Sequence, residues 1–187
     1  MRQASFQSLT TQRLRLRKFL TEDAAAYYEC LGSSDAVTKY MLWEPHKDIS
    51  ESEESIRKIL NRYETATPYT WAIALKETDA LIGRVDLLRL DQQAGTCSFA
   101  YMLGADFWNH GYGTEALRAV FDFAFTQLEV ESMDADHMAD NPASGAVMRK
   151  LGMTSQGSIP NKYQKNGVWH DAVCYRVTQK EWFSHEI

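Results

Sequence analysis

The spacing of hydrophobic and polar residues predicts strands and helices that alternate along the chain. Arginine and leucine alternate over residues 11–19, which is the period of a strand with one exposed face. Thr21 is placed to cap a helix that runs to about Leu31. Ser50–Glu53 has the pattern of a capping box, and the helix that it opens carries its apolar residues on one stripe. The first third of the chain therefore combines one strand with two helices.

The middle of the chain predicts a small antiparallel sheet followed by a buried helix. Three apolar runs, at residues 69–75, 81–88 and 96–103, are separated by short polar turns, so we expect them to pair as a meander. Residues 114–127 are apolar around much of a helical circumference. This distribution indicates a helix that is buried on most of its sides.

The last third adds a strand near residues 131–137, a short helix that Asn141 caps, and a hairpin that turns at Asn166–Gly167. The Asn-Gly dipeptide supplies the positive φ angles of a two-residue type I′ turn. Together the elements predict an α+β fold, with one mixed, mostly antiparallel sheet of about seven strands flanked by about four helices.

The composition is that of one globular domain. At 187 residues and 44% hydrophobic content the chain can bury a substantial core, so we expect a single domain over residues 1–187. No stretch approaches the length of a membrane span and no apolar leader is visible, which favours a cytoplasmic location without a membrane partner. A net charge of −5 argues against a nucleic-acid surface. Three separated cysteines without metal-ligand spacing predict reduced thiols and no metal site.

A glycine-spaced turn between a strand and the long apolar helix is the most informative stretch of the chain. Gly111 and Gly113 lack a Cβ, so the backbone can bend sharply there and present several N–H groups to an anion. The helix that follows adds the positive end of its dipole. The pattern indicates a phosphate-binding turn, although two glycines before a helix are also ordinary turn residues.

A second element at residues 141–153 reinforces this interpretation. Asn141 is placed as the N-cap of a short helix, proline follows at the first helical position, and Gly152 is placed as the left-handed stop. Both elements resemble the acetyl-CoA-binding core of the GNAT superfamily of N-acetyltransferases, and most closely its RimJ/RimL-type, ribosomal-protein branch. The residues that match in order and spacing are Tyr101, Trp108, Gly111, Tyr112, Thr114, Glu115, Ala116, Asn141, Ser144, Lys150, Gly152 and Met153.

The resemblance implies a strongly twisted GNAT-type sheet and acetyl-CoA as the cosubstrate. In the family the strand end at Tyr101–Leu103 offers backbone groups to the pantetheine arm, and a backbone N–H of Met102 or Leu103 supports the developing oxyanion. Ser144 lies near the sulfur and helps to deliver a proton; the alternative is a hydroxyl satisfied within its own helical turn. The cofactor contacts implied by the resemblance are Tyr101, Met102, Leu103, Asn109, His110, Gly111, Tyr112, Gly113, Thr114, Asn141 and Ser144.

The general base is where the chain departs from its relatives. Many members carry a glutamate on the strand before the glycine turn, where this chain has Ser98–Tyr101. Asp86, Asp136 and His137 are the candidates near strand ends, and Asp86 and His137 join Ser144 as the predicted catalytic residues. The alternatives are that Asp86 forms a structural ion pair with Arg84, and that neighbouring groups satisfy the hydrogen bonds of His137 at the end of its strand.

The acceptor is predicted to be an amine of low pKa. A lysine-like amine of pKa about 10.4 costs about 4–5 kcal/mol to deprotonate at pH 7, whereas an α-amine near 7.7–8.0 costs about 1 kcal/mol. The missing strand glutamate therefore favours an α-amino group, such as a protein N-terminus, attacking directly in a ternary complex. Tyr40, Trp43 and His46 lie where the family builds its acceptor pocket. A small-molecule amine or antibiotic as acceptor, and a non-catalytic acetyl-CoA-binding module, are the alternatives. We expect a monomer or a homodimer.

Overall fold

A computed structural model of the protein describes residues 5–64 and 69–184. Its strands are β1 (Leu9–Thr10), β2 (Leu14–Arg17), β3 (Thr70–Leu75), β4 (Leu81–Asp91), β5 (Thr96–Leu103), β6 (Ser132–Met138), β7 (Thr154–Lys165) and β8 (Val168–Thr178). Its α-helices are α1 (Asp23–Tyr27), α2 (Asp35–Thr38), α3 (Ile49–Arg62), α4 (Tyr112–Thr126), α5 (Pro142–Lys150) and α6 (Gln179–Ser184). A π-helical turn (Tyr28–Gly32) follows α1, and a 3₁₀ turn (Ala105–Phe107) precedes α4. The single domain over residues 1–187 stays a prediction.

The eight strands of the described residues form one sheet in the order β1-β2-β3-β4-β5-β6-β8-β7. All neighbours are antiparallel except β5 and β6, which are parallel. The predicted α+β fold, its mixed sheet and the meander of β3, β4 and β5 are therefore confirmed. The hairpin between β7 and β8 turns at Asn166 and Gly167, with φ angles of 49° and 77°, as predicted.

The sheet has one strand more than predicted, and the described residues have two helices more. Thr11 accepts a hydrogen bond from the Leu14 N–H through its hydroxyl, and this tight turn separates β1 from β2. The additional helices, α2 and α6, are four and six residues long, too short for apolar periodicity to predict. No helix of the described residues is long and apolar enough to cross a membrane.

The predicted N-cap of the first helix, Thr21, is wrong by one residue, because the N-cap is Glu22. The helix begins at Asp23, whose carboxylate accepts a hydrogen bond from the Leu20 N–H and pairs with Arg17 at 2.7 Å. Glu22 makes no side-chain cap hydrogen bond, and the Asp23 carboxylate instead ties the start of the helix to the residues before it. Beyond Tyr27 the chain continues as the π-helical turn, so the predicted helical path to about residue 31 is kept with a different hydrogen-bond pattern.

The predicted capping box at Ser50–Glu53 is also wrong. The cap of α3 is Asp48, whose carboxylate accepts hydrogen bonds from the Ser50 N–H and the Ser50 hydroxyl. The helix consequently begins at Ile49, before the predicted box. Its apolar stripe is where the sequence placed it, since Ile56 and Ile59 are buried.

Apolar cores lie on both faces of the sheet. The predicted burial of α4 is confirmed, because its apolar side chains are fully buried against β3, β4 and β5. The opposite face packs against α1 and α3. The larger core includes Trp71, Val85, Leu87, Phe99, Leu117, Val120, Phe121 and Phe125, and the smaller one includes Phe19, Tyr27, Leu31, Ile56, Ile59 and Ala72.

Glu115, in the first turn of α4, ties this helix to the β1–β2 turn. Its carboxylate accepts hydrogen bonds from the Thr11 hydroxyl, from the Arg13 backbone N–H at 2.8 Å and from Arg13 Nε at 2.7 Å. Burial alone would raise the pKa of Glu115, but these hydrogen bonds outweigh it and the pKa is lowered. The contact fixes the N-terminus of α4 relative to the sheet.

Replacing Glu115 with glutamine should lower the free energy of unfolding by about 1–2 kcal/mol at pH 7. This is the lower part of the range for hydrogen bonds to charged groups, and we choose it because the Arg13 side chain is 43% exposed and solvent weakens the interaction. Since the folded-state pKa is lowered, this stability is present above the unfolded pKa of about 4.3 and is lost as the pH falls through the folded value. Urea unfolding of Glu115→Gln and wild type from pH 7 to pH 3 measures both effects. The exposed control Glu77→Gln should show no such difference; a Glu115 effect that stays constant down to pH 3 would contradict the charge-based account.

Candidate functional site

The parallel pair of strands in the centre of the sheet separates after three residue pairs. Thr96, Cys97 and Ser98 of β5 pair with β6, and the ladder ends at the Ser98–Asp134 pair. Both strands nevertheless continue, to Leu103 and to Met138. Their facing edges therefore present backbone groups that the sheet does not use. We call the space between residues 99–103 and 135–138 the β5–β6 slot.

The direction of the backbone N–H groups along β5 follows from its pairing with β4. Gly104 donates its N–H to Ile82 O at 2.9 Å, and N–H groups alternate in direction along a strand. The Met102 N–H is therefore directed at β4, and the Leu103 N–H is directed into the slot. The Leu103 carbonyl, on the same edge, accepts a hydrogen bond from the Trp108 indole at 2.9 Å. Of the two backbone N–H groups predicted to support the oxyanion, that of Leu103 is directed into the slot and that of Met102 is not.

The glycine turn opens the N-terminus of α4 beside this slot. Asn109 and Gly111 have φ angles of 63° and 81°, so the chain takes left-handed conformations twice before the helix begins. Gly111 is the N-cap residue, and no side chain makes a capping hydrogen bond there. The first-turn amides of Tyr112, Gly113 and Thr114 have no partner within the helix. An anion can bind to these amides without displacing a protein group.

At Gly113 the first turn of α4 packs directly on the side chains of β5. A Cβ at Gly113 would lie 3.4 Å from Leu103 Cδ1 and 3.4 Å from Tyr101 Cε2. This approach places the positive end of α4 over the end of β5. His110 stacks on Tyr112, with ring centroids 5.9 Å apart. The contacts predicted for Asn109, His110, Tyr112 and Thr114 stay predictions.

Arg13 adds a cation to the glycine turn. Its Nη1 donates to the His110 carbonyl at 3.0 Å, and its guanidinium lies 4.4 Å from the centroid of the Tyr112 ring. A Cβ at Gly111 would be 3.4 Å from Arg13 Nη2. The sequence analysis assigned this arginine to the exposed face of a strand. Its partner Glu115 lies 102 residues away in the first turn of α4, and no local sequence pattern reveals such a contact.

The N-terminus of α5 closes the other side of the slot. The predicted cap is confirmed, because Asn141 Oδ1 accepts a hydrogen bond from the Ser144 N–H at 3.3 Å. The Ser144 side chain reaches across to the Tyr101 phenol on β5. Burial raises the pKa of Tyr101, and the hydrogen bond with Ser144 acts against this rise. The phenol therefore stays protonated near neutral pH, and the two hydroxyls form a polar contact across the slot.

His137 lies under α5 and is held by its surroundings. Its Nδ1 donates to the Met138 carbonyl at 2.7 Å, which leaves a lone pair on Nε2. Nε2 is buried without a hydrogen-bond partner among the described residues, and a Cβ at Gly145 would lie 2.7 Å from it. The ring stacks on Tyr175 at 5.7 Å. These contacts favour a packing role, and the assignment of His137 as a base stays a prediction.

Asp86 is tied into a network of cations and hydroxyls on β4. Its carboxylate accepts a hydrogen bond from Thr70 Oγ1 at 2.7 Å and from Arg84 Nη2 at 2.8 Å, and Arg62 Nη1 lies at 3.3 Å. The Asp86 side chain is only 9% exposed. Two guanidinium groups and a hydroxyl occupy this carboxylate, so the contacts favour the structural alternative and Asp86 does not enter the proposal below.

The residues predicted for the acceptor pocket lie on the loop between α2 and α3, residues 39–48, which we call the α2–α3 loop. His46 Nδ1 lies 2.7 Å from the Ser52 hydroxyl, and the ring packs against Tyr27 and Trp43. Burial lowers the pKa of His46, so the imidazole is neutral near pH 7. Tyr40 and Trp43 are half-buried. These three assignments also stay predictions.

Lys165, next to the β7–β8 turn, fastens this hairpin to the α2–α3 loop. Its Nζ donates to the carbonyl of Thr38 at 2.7 Å and to that of Met41 at 2.9 Å, and Glu44 lies at 3.8 Å. The Lys165 side chain is 13% exposed. The contact joins the two halves of the sheet on the face opposite α4. No group of His, Cys, Asp and Glu within residues 5–64 and 69–184 is placed to hold a metal ion.

Comparison with known proteins matches residues 13–154 to the model of the acetyltransferase (GNAT) domain. The chain is 28% identical to p20 of Bacillus licheniformis, described as an uncharacterized N-acetyltransferase, over 94% of this chain and 98% of that protein. It is similar in fold to a GNAT-family acetyltransferase from Bacillus anthracis, with a TM-score of 0.82, 21% identity and coverage of 93% and 99%. RimL, a ribosomal L7/L12 α-N-protein acetyltransferase solved with coenzyme A, gives a TM-score of 0.80 at 17% identity and coverage of 92% and 98%.

Replacing Gly111 with aspartate should weaken acetyl-CoA binding about 30-fold or more, because it puts a negative side chain at the helix N-terminus that we expect to hold the pyrophosphate. Isothermal titration calorimetry measures the affinity, and a melting curve shows that the variant is folded. Gly157→Asp is the matched control, since Gly157 also has positive φ, at 94°, and nothing lies within 4 Å of its Cβ position. Equal affinity in the Gly111→Asp variant and wild type would overturn the phosphate assignment.

Proposed function

The chain belongs to the GNAT family of acetyltransferases and is an N-acetyltransferase, and we propose that it moves the acetyl group of acetyl-CoA to the α-amino group of a peptide or protein. The amine attacks directly in a ternary complex. The proposal rests on the β5–β6 slot, which opens onto an uncapped helix N-terminus and is crossed by the Tyr101–Ser144 contact. A cytoplasmic location and a monomeric or homodimeric state stay predictions.

The chain fits acetyl-CoA through groups that its own fold leaves available. The first-turn amides of α4 hold the pyrophosphate, and the Arg13 guanidinium, which is bonded to Glu115 and the His110 carbonyl, lies beside them. The slot edge of β5 hydrogen-bonds the pantetheine arm. Asn141 uses its side-chain oxygen to cap α5, so its NH₂ group is free to donate to a pantetheine amide carbonyl.

Acetyl-CoA supplies an acetyl group that is activated as a thioester. The Leu103 N–H, directed into the slot, stabilises the negative charge that develops on the carbonyl oxygen. Such a donor contributes roughly 3–4 kcal/mol in other acyl-transfer enzymes. Trp108 holds the Leu103 carbonyl and so fixes the end of β5. The donor is therefore oriented before the acceptor arrives.

Ser144 and Tyr101 deliver the proton to the departing sulfur. A free thiol titrates at about 8.5, so a thiolate leaves with moderate help. Tyr101, with its pKa raised by burial, remains a proton donor across the neutral range. Ser144 lies at the first turn of α5, where its side chain hydrogen-bonds the Tyr101 phenol, so its hydroxyl is placed to relay the proton from the phenol.

An α-amino acceptor is the choice that suits a site without a glutamate on β5. Its pKa of about 7.7–8.0 leaves a useful fraction neutral at pH 7, whereas a lysine is almost wholly charged. RimL, a fold neighbour, bears the name of an α-N-protein acetyltransferase, which accords with this choice. The half-buried aromatic side chains of the α2–α3 loop, Tyr40 and Trp43, and the neutral His46 provide an uncharged wall for the acceptor.

The release of CoA thiol in the presence of an acceptor panel tests this function. The panel contains peptides with free and with blocked N-termini, free amino acids, polyamines and aminoglycosides. Turnover with free-N-terminal peptides that blocking abolishes supports the proposal. Turnover confined to polyamines or aminoglycosides would establish the small-molecule alternative. Tight acetyl-CoA binding without turnover on any acceptor would establish the non-catalytic alternative.

Replacing Ser144 with alanine should reduce kcat about 10–100-fold and leave the KM for acetyl-CoA and the melting temperature nearly unchanged. Tyr101→Phe should give a similar loss, because both hydroxyls serve one proton path. A hydroxyl with only a local structural role predicts a stability change of a few tenths of a kcal/mol and full turnover. Steady-state kinetics with the best acceptor of the panel measures the difference, and wild-type kcat in Ser144→Ala would overturn the assignment.

A further inference from the structure

A cluster of three polar side chains from β6 and β7 remains outside the roles assigned so far. The Asp136 carboxylate accepts a hydrogen bond from the Tyr163 hydroxyl on one oxygen and from Lys162 Nζ on the other. The side chains of Asp136 and Lys162 are 20% and 23% exposed. Solvent or a small group can therefore reach the carboxylate, although most of it is enclosed.

The position of Asp136 in β6 places it at the slot. It lies two residues beyond Asp134, where the ladder to β5 ends, so Ala100 is its counterpart across the gap. Ala139 donates its N–H to Asp171 O on β8, and by alternation the backbone of Asp136 is directed at β5. Asp136 therefore lies at the β6 edge of the slot, across from Ala100 of β5.

Asp136 also lies on the face of the sheet where the acceptor is expected to bind. Side chains alternate along β6, and His137 points to α5, so Asp136 points to the opposite face. Lys165, two residues after Tyr163, fastens the same hairpin to the carbonyls of the α2–α3 loop. The carboxylate therefore lies between the slot and the loop that carries the predicted acceptor pocket.

Asp136 has bonding capacity that the other predicted base candidates lack. Asp86 is held by two arginines and a threonine, and Nε2 of His137 faces the α5 backbone at Gly145. A carboxylate offers about four acceptor positions, and Tyr163 and Lys162 account for two of those on Asp136. The remaining positions can receive the N–H groups of an amine.

We propose that Asp136, oriented by Tyr163 and counterbalanced by Lys162, binds the acceptor amine and takes up its proton during acetyl transfer. This inference rests on the proposed function and supplies its general base. The nitrogen lone pair of the neutral amine forms the N–C bond to the thioester carbonyl carbon, and the C–S bond breaks with its electron pair on sulfur. The excess proton on nitrogen passes to Asp136, and the sulfur is protonated through Ser144.

The timing of the proton transfer follows from ordinary acidities. Carboxylates in general are weaker bases than α-amines, so the proton passes to Asp136 only after the N–C bond begins to form and the nitrogen becomes acidic. Burial raises the pKa of Tyr163, and Asp136 raises it further, so the tyrosine remains a donor that orients the carboxylate. The charged or titratable groups around the pair are Lys162 on β7, Arg89 on β4 and Cys174 on β8.

Asp136→Asn tests the proposal directly. We expect kcat/KM for the best peptide acceptor of the panel to fall about 100-fold at pH 7 and less at pH 9, where hydroxide can take up the excess proton on nitrogen in place of the carboxylate, while acetyl-CoA affinity stays within twofold. Asp136→Glu should recover part of the activity. Tyr163→Phe, as a change to a positioning residue, should reduce kcat about 5–10-fold with a similar pH profile.

Asp134→Asn is the matched control, because Asp134 lies two residues earlier on the same face and pairs with Arg176 on the exposed surface. It should keep wild-type turnover even if its melting temperature falls. Equal turnover of wild type and Asp136→Asn, or a pH-independent loss shared with Asp134→Asn, would overturn the role of Asp136. A wild-type protein that acetylates no acceptor would count against the proposed function itself, so the two failures are distinguishable.

Discussion

The short ladder between β5 and β6 is the constraint on which the rest of the structure depends. Parallel strands need a long crossover, and here that crossover contains α4, which packs across the larger core. Three residue pairs are enough to set the register, and the strands then separate. Backbone groups that a continuous sheet would use are left on two facing edges. Under the proposed function, these main-chain groups form the site for a long, flexible cosubstrate.

The helices that follow these strands have different N-termini, and the difference has chemical consequences. Asn141 caps α5, so that helix is satisfied by its own residues and can present Ser144 to the slot. Gly111 leaves the N-terminus of α4 without a side-chain cap, so its dipole and amides are available to an anion. Arg13 reinforces that end through Glu115, which anchors the helix to the β1–β2 turn. In the proposed function, the N-terminus of α4 binds the anion and that of α5 positions Ser144.

Sequence patterns correctly predicted those parts of the fold that depend on interactions between residues close together in the chain. The Asn166–Gly167 turn, the Asn141 cap and the buried length of α4 depend on residues a few positions apart, and all three are confirmed. The start of α3 was misplaced because Asp48 competes with Ser50 for the same cap, and both fit the pattern. The glycine turn and the N-cap pattern also indicated the family, which is confirmed, and through it a cosubstrate site, which stays a prediction. Arg13–Glu115 and Asp136–Tyr163 join residues far apart in sequence, and no periodicity encodes them.

Hydrogen exchange measured with and without acetyl-CoA tests the central claim that the separated strands and the uncapped helix form the cosubstrate site. The account predicts slower exchange at the amides of residues 101–103 and 110–114 in the complex. The edge strand β7, whose residues 154–160 are exposed, should exchange at the same rate in both states. Protection confined to another surface, such as α3 or α6, with unchanged exchange along the slot would contradict the account.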